Sequence, residues 1–344
     1  MRRLFHSDEP HGTSAAKETP QPSAVDAAAA QPGSTTDEWW QNAPPSPAPP
    51  VEAAPTAGRG AITAPLPQDV TASNLAPPAH DLETGATPER GLAFAALRDV
   101  GLVRAVNQDS IFGMLTTVPR SGVDTPVGVF VLADGMGGHQ SGEIASRLAV
   151  NSVARVMLAD LIVPALEETM TEPIQTLMTS AVETANRTIW EAAQAAGTDM
   201  GTTCTAALLL GHHVYLGHVG DSRAYLVVGD ELRQLTVDHS AVGRLIQLGQ
   251  LDSEAAREHP LRSQLYRTVG QIAEIAVDYE AHSTIGASHL LLCSDGLWGM
   301  IDERDMHAVI RTSRWPEDAC RALIERANAA GGEDNISAIV VSLP

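Results

Sequence analysis

The amino-acid sequence predicts an α+β layered fold for the larger part of this 344-residue chain. Apolar runs of strand length and amphipathic runs of helix length come in separate blocks and do not alternate one by one, which is typical of α+β domains. Residues 89–344 are rich in Val, Leu, Ile and Ala, and a stretch of this length can bury a substantial core. We therefore predict one folded domain over residues 89–344.

Residues 1–88 have a different composition. They hold most of the prolines of the chain, as in residues 44–50, and show little aliphatic periodicity. Such a segment cannot bury enough apolar surface to offset the entropy lost on ordering. The sequence therefore predicts a disordered, Pro- and Ala-rich N-terminal tail over residues 1–88.

The domain is predicted to begin with a buried strand and two long helices. Gly128–Ala133 is a short apolar run bounded by a turn, so it is predicted as a strand that delivers Asp134 to the edge of a sheet. Glu143–Leu158 has apolar residues at spacings of three and four, as in an amphipathic helix. Pro173–Ala196 is predicted as the second helix, because proline favours its start and Gly197 its end.

Three short strands are predicted next, over Thr203–Leu210, His213–Val219 and Ala224–Val228. The turns between them are short, so we expect antiparallel pairing. A polar helical stretch then follows Ser240 and breaks at Pro260, and we interpret it as a mobile flap over the site.

The last third repeats this pattern. Ser288–Cys293 is predicted as a strand that leads into Asp295. Helices over 303–311 and 316–329 precede a closing strand over 336–341.

Charge and cysteine content narrow the function classes. The formal net charge of −20 argues against nucleic acid as a partner, since that affinity comes largely from Lys and Arg. Three widely spaced cysteines in apolar surroundings indicate reduced thiols and a cytoplasmic location. No apolar run of about 18 residues is evident, so we expect no membrane association, and we expect a monomer.

Four acidic clusters lie far apart in the sequence, each where an apolar run gives way to a turn: Asn107–Asp109, Asp134–His139, Ser294–Gly296 and Gly332–Asn335. Taken singly, each is also an ordinary turn composition. Together they predict a carboxylate metal site assembled by folding, because hard divalent cations prefer oxygen ligands and gathered aspartates repel one another without a cation.

Convergence of Asp109, Asp134, Asp295 and Asp334 would allow two Mg²⁺ or Mn²⁺ ions to bind, at the roughly 3.5–4 Å separation of two-metal hydrolases. A water or hydroxide between the ions would attack phosphorus in line. Gly135 lacks a Cβ, so its carbonyl is free to approach a cation. Arg104 is predicted to hold phosphate oxygens through its planar fork.

Seven motifs in this order resemble those of bacterial protein phosphatase 2C-like enzymes, the metal-dependent PPM-type serine/threonine phosphatases: Gly101–Asp109, Asp134–His139, Met200–Thr203, Val219–Arg223, Leu235–Ser240, Cys293–Trp298 and Gly332–Asn335. The resemblance covers residues 91–343.

The resemblance implies an α-β-β-α sandwich of two antiparallel sheets flanked by helices, with the metals in a cleft at one end. It also implies Mn²⁺- or Mg²⁺-dependent hydrolysis of phosphoserine and phosphothreonine in phosphoproteins, opposing a bacterial Ser/Thr protein kinase. Carried over by motif, Asp109, Asp134, the Gly135 carbonyl, Asp295 and Asp334 bind the core metals directly or through waters, and Arg104 binds the substrate phosphate.

The chain also departs from the family pattern. Eukaryotic members have a candidate general-acid His at the position of Met136, and bacterial relatives lack it, as this chain does. The candidates for the general acid are therefore a metal-bound water and His139. His139 is also interpretable as a structural cap. Relatives bind a third, weaker metal through an acidic residue shortly before the Met-Gly-Thr-Thr segment. Here Asp199 precedes Met200, and a third-metal ligand and a solvated turn residue both remain open.

Four further residues are assigned lesser roles. Asp221 is predicted either to orient the flap or a metal-bound water, or to stabilise its turn. Asp238 and His239 are predicted to organise the corner before the flap. Trp298 is predicted to pack in the core.

Two other functions compete with an active protein phosphatase. One is a catalytically silent phosphoprotein-binding module, which would have no need to keep the four aspartates and Arg104. The other is a metallohydrolase of small phosphoesters or nucleotides, disfavoured because no P-loop motif is present.

Overall fold

Two antiparallel β-sheets form the centre of the domain. The computed structural model describes residues 91–120, 122–137, 141–167, 169, 171–252, 255–256 and 259–343. The strands are β1 (Ala93–Asp99), β2 (Asp109–Arg120), β3 (Val123–Met136), β4 (Gly201–Thr202), β5 (Cys204–Leu210), β6 (His213–Val219), β7 (Arg223–Val228), β8 (Glu231–Gln234), β9 (Asp278–Ser283), β10 (Ala287–Cys293) and β11 (Ile336–Ser342). One sheet has the order β1-β11-β10-β7-β8, and the other β2-β3-β5-β6-β9 with β4 paired to β3.

Helices cover the outer face of each sheet. They are α1 (Ser141–Val156), α2 (Val163–Leu166), α3 (Ile174–Ala196), α4 (Ala241–Gln247), α5 (Asp295–Trp298), α6 (Glu303–Thr312) and α7 (Pro316–Ala329), with a π-helical stretch, Met157–Ile162, between α1 and α2. Helices α1 and α3 pack on the sheet that contains β3, and α7 packs on β1 and β11. The predicted α-β-β-α sandwich is therefore confirmed, with helices and sheets in four layers.

Strand β3 shows why the core forms as it does. Successive residues of a strand point to opposite faces of the sheet. Phe130 and Leu132 belong to the core between the two sheets, whereas Val129 and Val131 belong to the core under α1 and α3. A strand buried on both faces has a continuous apolar run, which is the pattern that Gly128–Ala133 shows.

Several predicted elements differ in extent. Strand β3 continues from Val123 to Met136, so Asp134 lies inside the strand and not beyond its end. The first helix begins at Ser141, and the second at Ile174 with Pro173 as its N-cap. Gly197 ends that helix as predicted, in the left-handed conformation (φ 63°) that glycine adopts without steric cost.

The pairing prediction for the three middle strands was wrong in one respect. Strands β5 and β6 pair antiparallel as expected. Strand β7 instead pairs with β8 and β10 in the other sheet, so the short Gly220–Ser222 connection crosses between sheets. A short turn favours antiparallel neighbours, but it does not require that they share a sheet.

One continuous helical segment, Ser141–Leu166, is long and apolar enough to cross a membrane by length and composition alone. In the domain 44% of its most apolar window is buried, and α1 packs against β3 and α3. Most of its apolar residues thus belong to the core, and Val163 and Leu166 at its end are exposed. The predicted tail, residues 1–88, and His139 lie outside the described residues.

Candidate metal centre

Asp109 and Asp134 lie opposite each other at the end of the β2–β3 ladder. Directly opposed residues of antiparallel strands place their side chains on the same face of the sheet. Asp109 is completely buried, and its Oδ2 accepts a hydrogen bond of 2.7 Å from the Ser337 hydroxyl. The backbone N–H of Asp134 donates to Thr203 Oγ1 at 2.9 Å. Both aspartates are thus held by other segments, Asp109 by β11 and Asp134 by the residue between β4 and β5.

Asp295 and Asp334 reach the same end of the molecule from the other sheet. Asp295 begins α5 directly after β10, and Asp334 precedes β11, the neighbour of β10. Their segments touch closely, since a Cβ on Gly296 would lie 2.1 Å from the Asn335 carbonyl oxygen. Glycine at 296 is therefore required for this approach.

Asn335 fixes the loop that carries Arg104. Its Nδ2 donates to the carbonyls of Val100 (2.9 Å) and Val106 (3.0 Å), and its Oδ1 accepts from the N–H of Gln108 (2.7 Å). Asn335 lies inside one of the sequence motifs, but the sequence pattern assigned it no role. Its position beside the candidate ligand Asp334 could have indicated this role, because an Asn amide can both donate and accept hydrogen bonds.

The four predicted carboxylates form one electrostatic cluster. Burial is the largest cause that raises the pKa of Asp109, to about 7, and the charges of Asp295 and Asp334 add to it, while hydrogen bonds from Ser337 and Ser294 oppose it. Burial and then the charge of Asp109 raise the pKa of Asp134 well above its ordinary value. The pKa of Asp295 is raised by burial and then by the charge of Asp334.

The cluster has the properties expected of a cation site. Among the described residues, the Oδ1 atoms of Asp109 and Asp295 are buried without a hydrogen-bond partner. Buried unpaired carboxylate oxygens are costly, and a hard divalent cation would supply the missing partner. In the same residues, no three His, Cys, Asp or Glu side chains stand in a ready coordination geometry. The donors fit such an ion by chemistry, and binding would require them to close around it.

Arg104 lies beside this cluster. Its Nη2 donates to Asp334 Oδ2 at 2.6 Å, with 51% of the Arg104 side chain exposed. The hydrogen bond and the charge of Asp334 raise the pKa of Arg104, and the charges of Asp295 and Asp134 add to them. A guanidinium has five N–H donors, so this contact leaves donors for a phosphate.

Asp221 also belongs to the cluster, a role that the sequence analysis left open. It is only 4% exposed, and burial followed by the charge of Asp295 raises its pKa well above the ordinary value. Its position follows from the crossing of Gly220–Ser222 between the sheets at this end of the sandwich. The crossing could not be read from local pattern.

Of the other two predicted metal ligands, Gly135 is closely packed and Asp199 is exposed. A Cβ on Gly135 would lie 2.1 Å from the Gly142 carbonyl oxygen and 2.7 Å from that of Gln108, so packing by itself requires glycine there. Asp199 is exposed, and its carbonyl oxygen would lie 3.0 Å from a Cβ on Gly137. It therefore borders the loop after Asp134 without joining the buried cluster.

Asp238, His239 and Trp298 connect the centre to its surroundings. Asp238 pairs with Arg223, and His239 Nδ1 accepts from the N–H of Gly220 at 3.0 Å, as expected of residues that organise this corner. Trp298 packs against the core under α6 and α7, but its Nε1 also donates to the Asp221 carbonyl at 3.0 Å. The prediction of simple core packing was therefore incomplete.

A cleft of about 690 Å³ opens from the aspartate cluster. Asp295 and Asp334 line it, and the predicted flap between Ser240 and Pro260 contributes Val242 and Ala256. Arg262 and Ser263, just after the flap, also line it. Arg262 forms an ion pair of 3.0 Å with Glu333, next to Asp334. The predicted flap thus borders the cleft, and its mobility stays a prediction.

Comparison with known proteins gives consistent matches. A family model described as protein phosphatase 2C matches residues 104–329. The serine/threonine phosphatase Stp of Listeria innocua is 35% identical over 215 residues, which cover 62% of this chain and 83% of that protein. The crystal structure of the Mycobacterium tuberculosis serine/threonine phosphatase PstP/Ppp has a TM-score of 0.62 at 31% identity, covering 73% of this chain and 98% of that one. A PstP catalytic domain in complex with two manganese ions has a TM-score of 0.59 at 30% identity, covering 73% of this chain and 97% of that one.

Proposed function

The chain belongs to the protein phosphatase 2C family and is a serine/threonine phosphatase, and from this premise we propose that it hydrolyses phosphoserine and phosphothreonine in proteins with two Mn²⁺ or Mg²⁺ ions held by its clustered aspartates. The observation that carries the proposal is the convergence of Asp109, Asp134 and Asp295 in one cluster, with two buried carboxylate oxygens that lack a partner in the described part of the chain. The manganese-containing relative supports the choice of metal.

The protein residues have separable tasks in this proposal. Asp109, Asp134, Asp295, Asp334 and the Gly135 carbonyl hold the ions. Bound there, such ions would lower the pKa of a water towards neutrality and would neutralise charge on the phosphoryl group. Arg104, beside Asp334, holds the phosphate oxygens and so orients phosphorus for attack.

The contact between Arg104 and Asp334 bears on substrate binding. One carboxylate oxygen accepts from the guanidinium at 2.6 Å. Cation binding by Asp334 would weaken this pair, because the carboxylate charge would be shared with the metal. Arg104 would then be freer to turn to the phosphate, and metal binding would favour substrate binding.

A hydrolysis assay tests the proposal. Purified protein is given a phosphothreonine peptide with Mn²⁺, with EDTA, and as Asp295→Asn. We expect turnover only with Mn²⁺ and a loss of about 100-fold or more in Asp295→Asn, since a buried ligand is removed. Asp230→Asn is the matched control, because the Asp230 side chain is 98% exposed and the same charge is removed.

Other outcomes would favour the competing functions. Peptide binding without turnover, in protein that binds Mn²⁺, would favour a phosphoprotein-binding module. Turnover of nucleotides or small phosphoesters with none of the peptide would favour the metallohydrolase.

The proposal also covers location, oligomeric state and partners. We propose that the enzyme acts on phosphoproteins as a cytoplasmic monomer and opposes a Ser/Thr protein kinase, without nucleic acid or membrane partners.

The predicted third, weaker cation is tested separately, by Mn²⁺ titration of Asp199→Asn. Loss of one weak equivalent supports that site, and an unchanged stoichiometry removes it.

A further inference from the structure

The Gly220–Ser222 turn is anchored on three sides. The Gly220 N–H donates to His239 Nδ1 at 3.0 Å, and the Ser222 hydroxyl lies 2.7 Å from Thr203 Oγ1. The third anchor is the indole Nε1 of Trp298, which donates to the Asp221 carbonyl at 3.0 Å. Each anchor comes from a different segment of the chain, so the turn is held between them.

The backbone of the turn has little room to move. Gly220 has φ 116°, which few residues other than glycine adopt, and a Cβ there would lie 2.6 Å from the side chain of Thr203. If one anchor is lost, the neighbouring residue should therefore move, because the rest of the turn cannot relax to absorb the change. Asp221, between Gly220 and Ser222, is that residue.

Trp298 is itself fixed by Arg223. The guanidinium carbon of Arg223 lies 3.6 Å from the centre of the Trp298 ring system. Arg223 is held in turn by two oxygens of Asp238, at 3.0 and 2.7 Å, and by the Tyr225 hydroxyl at 3.1 Å. Since the Arg223 and Asp238 side chains are only 14% and 5% exposed, this stack is protected from water. The indole is thereby presented to Asp221 in one orientation.

The position of Asp221 matters to the aspartate cluster. Its side chain is only 4% exposed, and Thr203 joins its turn to the cluster, because Thr203 Oγ1 lies 2.7 Å from the Ser222 hydroxyl and accepts from the Asp134 N–H at 2.9 Å. The charge of Asp295 also acts on Asp221, and the charge of Asp221 acts on Asp134. A cation bound among these carboxylates would interact with the Asp221 charge at short range, where small displacements change the energy most. A group that fixes Asp221 thus contributes to cation binding without touching the cation.

We propose that Trp298 is a positioning residue of the metal centre, whose indole N–H holds the Asp221 backbone and thereby fixes the Asp221 carboxylate at the cation-binding cluster. The inference rests on the proposed function in one respect, that this cluster binds divalent cations. It assigns Trp298 a role that ring packing does not require.

The experiment measures Mn²⁺ binding to the full, metal-stripped chain by titration calorimetry. Trp298→Phe keeps an aromatic ring and removes the N–H. Benzothienylalanine incorporated at position 298 keeps the shape of the indole and also lacks the N–H. We expect both proteins to bind Mn²⁺ about tenfold more weakly, in the range reported for groups that orient metal ligands. Trp315→Phe is the matched control, since Trp315 is exposed and stacks on Arg314.

A double-mutant cycle separates positioning from general packing. If Trp298 acts through Asp221, Trp298→Phe has no further effect on Mn²⁺ affinity in an Asp221→Asn background. An equal weakening in both backgrounds would overturn the inference, as would unchanged affinity in the benzothienylalanine protein. Failure of the wild-type protein to bind Mn²⁺ would contradict the proposed function itself, so the two failures are distinguishable.

Discussion

At the scale of single residues, Asp109 illustrates how burial turns a carboxylate into a cation site. Its pKa is raised to about 7, chiefly by burial, and one of its oxygens has no partner among the described residues. In metal-free protein this carboxyl binds a proton between its ordinary pKa near 3.8 and about 7, where the unfolded chain does not. It therefore destabilises the fold progressively as pH rises through that window.

This gives a prediction for Asp109→Asn. In EDTA we expect the variant to be more stable than wild type at pH 8, by a few kcal/mol on the order of the pKa shift. The difference should shrink towards zero as pH falls from about 7 to about 4, because wild-type Asp109 is then neutral as well. Thermal unfolding of both proteins across this range is the measurement.

Comparing the two proteins removes contributions from groups that they share. One such group is His218, whose pKa burial lowers to about 3 and which acts in the opposite direction. With Mn²⁺ present the order of stability should reverse, because only wild type keeps the full ligand set. A lower melting temperature for Asp109→Asn than for wild type in EDTA at pH 8 would contradict this account.

At the scale of elements, the contact between β3 and the start of α1 depends on Gly135. A Cβ there would meet the backbone carbonyls of Gly142 and Gln108, which have no flexible end to move aside. Gly135→Ala should therefore destabilise the domain by about 1–3 kcal/mol, as overpacking of backbone does. Mn²⁺ affinity should fall as well, since Asp134 is adjacent.

Gly91→Ala is the control for that prediction. No heavy atom lies within 4 Å of a Cβ built on Gly91, so the same methyl group is added without a clash. Denaturant unfolding and Mn²⁺ titration of both variants test the idea. Equal stability of Gly135→Ala and wild type would show that α1 can shift to accommodate the methyl group.

The elements also show where sequence reasoning succeeded. The α3 helix was predicted to within one residue, because Pro173 and Gly197 mark its ends and its apolar spacing is regular. Strands β1, β2, β4, β8 and β9 and the short helices α2 and α5 were not predicted. They are partly exposed or short, so their apolar patterns are weak. The placement of β7 in the second sheet depended on long-range pairing that no local pattern encodes.

At the scale of the whole molecule, residues 89–344 are proposed to act without the tail. The β1 strand, which follows the tail, pairs with β11 along its whole length, so the described domain is closed by its own last strand. A protein that starts at residue 89 should keep its melting temperature within about 2 °C and its kcat/KM on a phosphothreonine peptide within about twofold.

Thermal unfolding and peptide hydrolysis of the truncated and full chains check this prediction. A protein that is missing residues 1–88 and unfolds at a clearly lower temperature would indicate that the tail contributes to the fold. Unchanged stability with a lower kcat/KM would instead indicate that the tail contributes to substrate binding.

The sequence by itself determined the fold class, the family and the set of candidate ligands. Aspartates at turns after apolar runs are local features of the sequence. The seven motifs also occur in the same order as in the family. Asp109, Asp134, Asp295 and Arg104 could be named in advance because each lies in such a motif.

Only the tertiary structure decided what those residues do to one another. Burial and the proximity of charges from separate strands set the raised pKa values, and these depend on distances that sequence spacing does not contain. The same holds for Asp221, which joins the centre because β6 and β7 belong to different sheets, and for Trp298, which reaches it across 77 residues of chain. Local patterns specify which residues are available, and packing of distant segments determines which of them meet.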